Sequence, residues 1–326
     1  MNIPRYWAEH RIQEKRDGRQ VTVRRWGWSD QSDDAARALA EIRCKEAMAR
    51  VWSGEKLSRR EKAETYGNGD GMPIREELVK AFPHAAITRN RYGALCLNTP
   101  RVLFADVDGS YRDPLRVPPW GCAGLMLAGV LLGVLMKSLW LGALVGIGLP
   151  FLWFKVNEAV RKRRHPRLLE QAKAEGLASI RAFSEANPDW HIRIYETVAG
   201  YRLLAMHGVF DPRDEATGSM LHAMNSDPRF VRLCALQNCF RARISPKYWR
   251  MGYRPAESLP KSKWPFPDKD LPRREKWIEG YDRLSPGFAS CRFVERLGSP
   301  QVHPEAEEIR RIHDEYCRSD SSLPLA

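Results

Sequence analysis

The sequence lacks several features that would assign the chain to a familiar class. Its seven cysteines are an odd number without a C-x-x-C pair, which fits neither a disulfide framework nor a zinc knuckle. The first twenty residues carry charges of both signs and no apolar run, so no secretory signal peptide is predicted. The loop Tyr66–Gly71 has no Walker lysine, and His303, Glu307 and His313 lack zinc-protease spacing. We therefore expect soluble parts that face a reducing cytoplasm.

Charge is almost missing from one long stretch of an otherwise basic chain. The chain has 53 Lys and Arg against 40 Asp and Glu, a net charge of +13. The 38 residues between Val117 and Phe154 nevertheless include a single charged one, Lys137. One straight helix of that length would extend roughly 57 Å, although a bilayer core is only ~30 Å thick. The stretch therefore predicts two transmembrane helices, with a buried core hairpin of a soluble protein as the alternative.

The position of the lysine and of four glycines favours a hairpin. Lys137 at the middle of a single span would cost roughly 2.5–3.5 kcal/mol, whereas at a hairpin tip it reaches water. Each half also carries two glycines four residues apart, Gly129 with Gly133 and Gly142 with Gly146. Small residues at this spacing let two helices approach closely. We expect the two halves to pack against each other.

Basic residues on both sides of the apolar stretch predict its orientation. Arg112 and Arg116 precede it, and the segment Arg161–Arg167 follows it with five basic side chains besides His165. The positive-inside rule therefore places both termini in the cytoplasm, at a bacterial inner membrane. The same segment, Arg161–Arg167, is expected to contact anionic lipid headgroups.

Outside the apolar stretch, the order of elements indicates an α+β fold. It reads β-α-β-β-α-β, the split βαβ or ferredoxin-like arrangement, and a transmembrane helical hairpin would interrupt this cytoplasmic domain after its first strand. The expected segments are residues 1–116 and 155–326 for the cytoplasmic domain and 117–154 for the hairpin. The strands of the domain are predicted at Arg101–Val107, Trp190–Glu196, Tyr201–His207 and Cys239–Ile244. Helices are predicted at Asp33–Trp52, Pro73–Phe82, Pro166–Ala186, Pro272–Tyr281 and Pro304–Cys317.

Two aspartates at the end of the first of these strands are the best candidates for chemistry. Asp106 and Asp108 have period-two spacing and share one face, and paired carboxylates can hold Mg²⁺ or Mn²⁺ for phosphoryl transfer. The sequence D-x-D-G is also a common turn signal, in which the aspartates and the glycine serve the backbone. The ferredoxin-like order brings Arg202, Arg241 and Arg243 to the same end of the sheet. Such a cluster could bind phosphate as a catalytic site or form a structural ion-pair network.

Two resemblances accompany these motifs. Asp106 and Asp108 are similar to the D-x-D motif of the archaeo-eukaryotic primase superfamily, which implies a metal-binding pair on a sheet strand. The chain departs from that family because Arg202 stands where the family has a histidine and no third carboxylate follows, which argues against polymerase activity. The blocks Ile74–Glu77, Thr88–Asn90 and Asp227–Lys247 resemble a family of uncharacterised bacterial membrane proteins, which implies no particular activity.

Three classes of function remain open at this point. The leading one is a membrane-tethered binding or regulatory module with a basic cytoplasmic domain. The alternative is a divalent-metal-dependent enzyme acting on phosphate esters or nucleotides, with Asp106 and Asp108 as metal ligands and Arg202 and Arg243 on the phosphate. The second alternative is a membrane-held nucleic-acid-binding module. Interleaved basic and aromatic residues such as Lys247, Tyr248, Trp249 and Arg250 suit single-stranded nucleic acid, and anionic lipid attracts the same surface.

Overall fold

The computed structural model describes residues 1–61, 72–109 and 119–326. The predicted loop Tyr66–Gly71 and the flanking Arg112 and Arg116 lie outside these residues. The chain divides into two units, one made of Met1–Val107 with Ser179–Ala326, the other of Asp108–Ala178. The first unit mixes helices with several small sheets, as the predicted α+β class requires.

The first unit begins with a hairpin that carries a helix. Strands β1 (Tyr6–Arg16) and β2 (Arg19–Ser29) are antiparallel, and Asp17 and Gly18 between them have positive φ angles, as a two-residue Asp-Gly turn requires. Helix α1 (Asp33–Trp52) buries the predicted apolar face, including Ala36, Ala40 and Cys44. A side chain at Gly27 would overlap the backbone of Ala36 and Ala40. The glycine therefore permits the close contact between α1 and β2.

The next sheet has the strand order β3-β4-β5-β9. These strands comprise Glu77–Phe82, Ala85–Arg89, Leu95–Thr99 and Phe240–Arg243. The helix predicted at Pro73–Phe82 is wrong, because β3 pairs along its length with the fully buried β4. Tertiary pairing has overridden the local preference.

The remaining sheet corrects the predicted ferredoxin-like order. It contains β6 (Phe104–Asp108), β7 (His191–Glu196), β8 (Gly200–Ala205) and β10 (Arg292–Gly298), in the order β10-β7-β8-β6. Strand β9 was expected beside β6 but pairs with β5 of the other sheet. There Phe240 and Ala242 are buried, and Arg241 reaches the buried carboxylate of Glu76, which the ferredoxin-like order would leave unpaired.

Four helices complete the first unit. Helices α5 (Glu215–Ala223) and α6 (Pro228–Gln237) connect β8 to β9. Helix α7 (Leu271–Leu284) packs Trp277 and Tyr281 into an apolar cluster. Helix α8 (Pro304–Cys317) ends where Arg318 adopts a left-handed conformation. The predictions for α7 and α8 are confirmed to within a few residues, because both helices have strong local periodicity.

The second unit contains a helical hairpin. Helix α2 (Pro119–Leu135) is followed by a turn at Lys137, with φ 49°, and by α3 (Leu139–Ala143). Helix α3 continues through a π-helical turn at Leu144–Gly148 into α4 (Leu149–Ala186).

The predicted glycines form the contact between the two arms of this hairpin. A Cβ at Gly129 would overlap the backbone of Gly146, and one at Gly133 would lie 3.0 Å from the Cα of Gly142. Contact this close is possible only between residues without side chains.

The apolar side chains that the structure describes in this hairpin are mostly exposed. Leu127 is 76% exposed and Trp140 88% exposed, and most of their apolar neighbours are similarly exposed. Within the described residues, the segment Trp140–Val160 is the one helix that is long and apolar enough to cross a membrane, with a mean hydropathy of 1.3 and 7% of it buried. The apolar run of α2, Met126–Leu135, is shorter.

Candidate ligand pocket and buried side-chain clusters

A cavity of about 480 Å³ opens on the surface of the first unit. Strand β9 contributes two arginines with the period-two spacing that places both on one face of the strand. The loop after β9 contributes a lysine and two aromatic rings, and α6 contributes apolar side chains. The volume lies within the range of small-molecule sites. The principal lining residues are Tyr92, Asp106, Phe230, Leu233, Arg241, Arg243, Lys247, Tyr248 and Trp249.

The two arginines of the pocket differ in their partners. Arg241 is ion-paired with Glu76, which is 2% exposed and also accepts a hydrogen bond from the Thr88 hydroxyl at 2.7 Å. Arg243 makes no ion pair within the described part of the chain. Its guanidinium is therefore the more available of the two for an anion in the pocket, since it would not have to leave an existing carboxylate.

Aromatic rings also line the pocket. Tyr248 packs edge-on against Trp249, with ring centroids 5.0 Å apart, and against the buried Trp277 at 5.3 Å. The hydroxyl of Tyr281 donates to the carbonyl of Pro246 at 2.7 Å and fixes the start of this loop. Trp249 remains 55% exposed. The rings therefore form a supported surface on which a planar ligand could stack.

The structure brings two of the predicted site residues into direct contact. Arg202 on β8 donates through Nε to Oδ1 of Asp106 on β6 at 2.9 Å, and through a terminal nitrogen to the carbonyl of Arg243 at 2.7 Å. Arg202 is 5% exposed. Burial lowers its pKa, but the Asp106 carboxylate, together with Cys291 and Cys317, outweighs burial and holds the pKa above the usual range. This pair has the character of the predicted ion-pair network.

The other two predicted residues, Arg243 and Asp108, have different surroundings. Arg243 contributes its backbone carbonyl to Arg202 and its side chain to the lining of the cavity. Asp108 is the exposed last residue of β6 and belongs to the second unit. One Asp106 oxygen is already engaged by a guanidinium, which competes with a cation for that carboxylate.

Sequence reasoning missed a cluster of buried residues. Cys291, His313 and Cys317 are fully shielded from solvent, and their Sγ and ring nitrogen atoms lie within 4.8 Å of one another. His313 and Cys317 are four residues apart on α8, so they share a face, and this H-x₃-C spacing was the available signal. Cys291 lies 22 residues before His313, just ahead of β10, and no local pattern connects it to them.

The charges around this cluster depend on one another. The hydrogen bond from Cys317 holds the pKa of the Cys291 thiol well below its usual range, with help from His313 and Arg202. Burial in turn raises the pKa of Cys317. His313 contacts the Asp314 carboxylate through Nδ1 at 3.0 Å and faces Cys291 through Nε2 at 3.8 Å. Two thiols and an imidazole in this arrangement are suitable ligands for a thiophilic metal ion.

Comparison with known proteins does not assign the chain to a family. No protein-family model, no curated protein and no solved structure matches the chain. The resemblance to a bacterial membrane protein family therefore stays a prediction, and function has to be inferred from the placement of the residues themselves.

Proposed function

We propose that this protein is a membrane-tethered binding module in which a helical hairpin lies in the bilayer and the α+β unit binds a phosphate-bearing ligand. One observation is the main support for a membrane tether with two crossings. Strands β6 and β8 are neighbours in one sheet, although the exposed apolar hairpin separates them in the sequence.

The surface of the hairpin supports insertion into a bilayer. Soluble monomers rarely expose contiguous apolar patches larger than a few hundred Å². Both arms of this hairpin nevertheless expose nearly all of the apolar side chains whose surroundings the structure describes. The segment Trp140–Val160 has 21 residues, which at 1.5 Å per residue gives ~31 Å, the thickness of a hydrocarbon core. Lipid would cover this surface without any further protein partner.

The sheet supports two crossings rather than one. Strand β6 precedes the hairpin and β8 follows it, and the amide of Ala205 donates to the carbonyl of Leu103 at 3.1 Å. A single crossing would place the partners of this bond on opposite sides of the membrane. Two crossings return the chain to the side from which it came. The exposed Arg163, Arg164 and Arg167 on α4 favour the cytoplasmic side of a bacterial inner membrane for both termini, with anionic headgroups nearby.

The pocket favours a ligand that combines a phosphate with a planar ring. Arg243 offers a planar guanidinium that matches phosphate oxygens, and Lys247 lies beside it in the lining. Tyr248 and Trp249 offer faces for stacking, with cation–π support from neighbouring basic groups. A mononucleotide has both parts and suits a cavity of about 480 Å³.

The metal-dependent enzyme is the second candidate, because the Asp106 side chain is 31% exposed and lines the pocket. In this reading Asp106 and Asp108 hold Mg²⁺ or Mn²⁺ beside a phosphate ester. Asp106 would have to share its carboxylate between the metal and Arg202. Titration with Mn²⁺ separates the two candidates. The enzyme requires that the protein binds Mn²⁺ and that Asp106→Asn and Asp108→Asn each abolish this binding, whereas the binding module requires neither.

Ligand binding is tested on the full-length protein in detergent micelles. Isothermal titration with AMP, ATP and inorganic phosphate is expected to show binding of at least one nucleotide. Arg243→Gln is expected to weaken it about ten- to a hundredfold, the range for a lost hydrogen bond to a charged group. Arg296→Gln is the matched control, because Arg296 is an exposed arginine on β10 outside the pocket. No binding of any nucleotide, or equal weakening by both variants, would remove the pocket from the proposal.

A further inference from the structure

We infer that Cys291, His313 and Cys317 form a structural binding site for a thiophilic d¹⁰ metal ion, Zn²⁺ or Cu⁺, which fastens α8 to the start of β10. The inference is independent of the ligand pocket and of the membrane hairpin, since all three residues lie elsewhere, in the last 36 residues of the chain.

The geometry of the donors suits a single ion. Zinc ligands lie at about 2.3 Å for sulfur and about 2.0 Å for nitrogen. A sulfur and a nitrogen bound to one ion are therefore separated by about 3.5 Å in a tetrahedral site and about 3.7 Å in a trigonal one. Cys291 Sγ and His313 Nε2 are 3.8 Å apart. The third donor, Cys317 Sγ, lies within 4.8 Å of both, so small side-chain rotations would complete the set.

The surroundings of His313 orient it as a metal ligand. Its Nδ1 lies 3.0 Å from Oδ1 of Asp314, so Nδ1 carries a proton, and Nε2, which faces Cys291, is the nitrogen that a metal ion would bind. A carboxylate behind a ligating histidine is the usual second partner at metal sites. Arg310 and Arg193 hold the other Asp314 oxygen at 3.0 and 3.4 Å. The orientation of the imidazole is therefore fixed before any ion arrives.

The packing around the cluster makes it a closed site rather than a catalytic one. The His313 ring lies between Phe104 and Tyr195, with centroids 5.3 and 4.6 Å away. The amide of Ser290 donates to the carbonyl of Cys317 at 3.0 Å, so the backbone already holds the two cysteine-bearing segments together. Two thiolates would neutralise Zn²⁺. Around Cu⁺ they would leave one negative charge, and this charge would lie close to Arg202, which acts electrostatically on both cysteines. Either balance permits a buried ion.

The first test uses the wild-type chain. Full-length protein purified in detergent under reducing conditions is loaded with Zn²⁺ or, without oxygen, with Cu⁺, then desalted and analysed by mass spectrometry for metal. About one ion per chain is expected from one of the two metals, and X-ray absorption should show two sulfur neighbours near 2.3 Å and one nitrogen near 2.0 Å. The arm that loads stoichiometrically identifies the ion. This readout does not depend on the folding of any variant.

Variants then assign the ligands. Cys317→Ser and Cys291→Ser are expected to lose the bound ion, and Asp314→Asn to weaken binding about 10- to 100-fold through the orientation of His313. Cys44→Ser is the matched control, because Cys44 is equally buried but lies on α1, and it should keep the ion.

Three outcomes would overturn the inference. The first is wild-type protein that retains no more than a trace of either metal after loading. The second is an absorption spectrum with only nitrogen and oxygen neighbours. The third is a Cys291–Cys317 disulfide in protein alkylated at the moment of cell lysis, which would make the pair a redox couple instead.

Discussion

Arg202 donates through Nε to Oδ1 of Asp106 at 2.9 Å, and its terminal nitrogen donates to the carbonyl of Arg243 at 2.7 Å. The first bond joins β8 to its neighbour β6, and the second reaches β9 in the other four-stranded sheet. One buried guanidinium therefore connects the two sheets beside the ligand pocket. A side chain with several fixed donors is suited to this position, and lysine is not.

Replacing Arg202 with leucine should destabilise the first unit by about 2–4 kcal/mol, slightly below the range for breaking a fully buried ion pair, because Asp106 is partly exposed and keeps some hydration. Thermal unfolding of the full-length protein in detergent measures the change. Arg296→Leu, at an exposed position, should stay within about 0.5 kcal/mol of wild type. An Arg202→Leu variant as stable as wild type would show that the pair does not hold the sheets together.

Acidification should weaken the packing around His207. The backbone amide of His191 donates to Nδ1 of His207 at 3.3 Å, and the His207 ring packs on Trp190 at 4.5 Å. Burial lowers the pKa of His207 and of His191 below the usual 6.5. At pH values between the lowered pKa of the folded state and 6.5, the unfolded chain therefore binds more protons than the folded chain. The stability that these histidines contribute is fully present above about pH 6.5 and falls as the pH drops towards the folded-state pKa.

The measurement is thermal stability between pH 7.5 and 5. His207→Gln keeps an acceptor for the His191 amide but cannot titrate, so it should reduce the loss of stability on acidification. His222→Gln, at an exposed position on α5, should leave the pH dependence unchanged. A pH profile that is identical in wild type and His207→Gln would contradict the assignment.

The close contact between glycines should limit the size of the side chains that α2 tolerates at the contact. A side chain at Gly129 would overlap the backbone of Gly146, whereas one at Gly124 would meet nothing within 4 Å. Gly129→Leu is therefore expected to cost about 1–3 kcal/mol, the usual range for overpacking, and Gly124→Leu almost nothing. Thermal stability in detergent compares the two. Equal stability of the two variants would mean that the helices do not pack through these glycines.

Local patterns predicted most helices well, except that Pro73–Phe82 is wrong and Pro166–Ala186 is only the C-terminal part of α4. They predicted the pairing of the strands poorly. Helices α1 and α8 and the glycine contact of the hairpin depend on spacings of three or four residues, which the sequence displays directly. The place of β9 depends instead on Arg241 reaching Glu76, 165 residues away, and no short pattern reveals that pairing.

The candidate sites also divide into contacts that local patterns indicate and contacts that depend on tertiary structure. The Asp106–Arg202 pair was expected because both residues lie at the ends of recognisable strands. Cys291 and His313 are brought together by tertiary structure alone, because the segment ahead of β10 meets the end of α8, where the amide of Ser290 donates to the carbonyl of Cys317 at 3.0 Å. No short cysteine pattern such as C-x-x-C reveals that contact. The pocket itself combines β6, α6 and β9, whose relative placement required the correct sheet order.

Labelling of the hairpin tip in spheroplasts is the sharpest test of whether this protein is tethered to the membrane by two crossings. A membrane-impermeant maleimide is added to intact spheroplasts that express Lys137→Cys or Ser322→Cys, with the wild-type chain as background. Lys137→Cys is expected to be labelled from outside, whereas Ser322→Cys, exposed near the C-terminus, is expected to be labelled only after lysis. Labelling of both positions only after lysis, together with recovery of the protein in the soluble fraction, would contradict a membrane-tethered module.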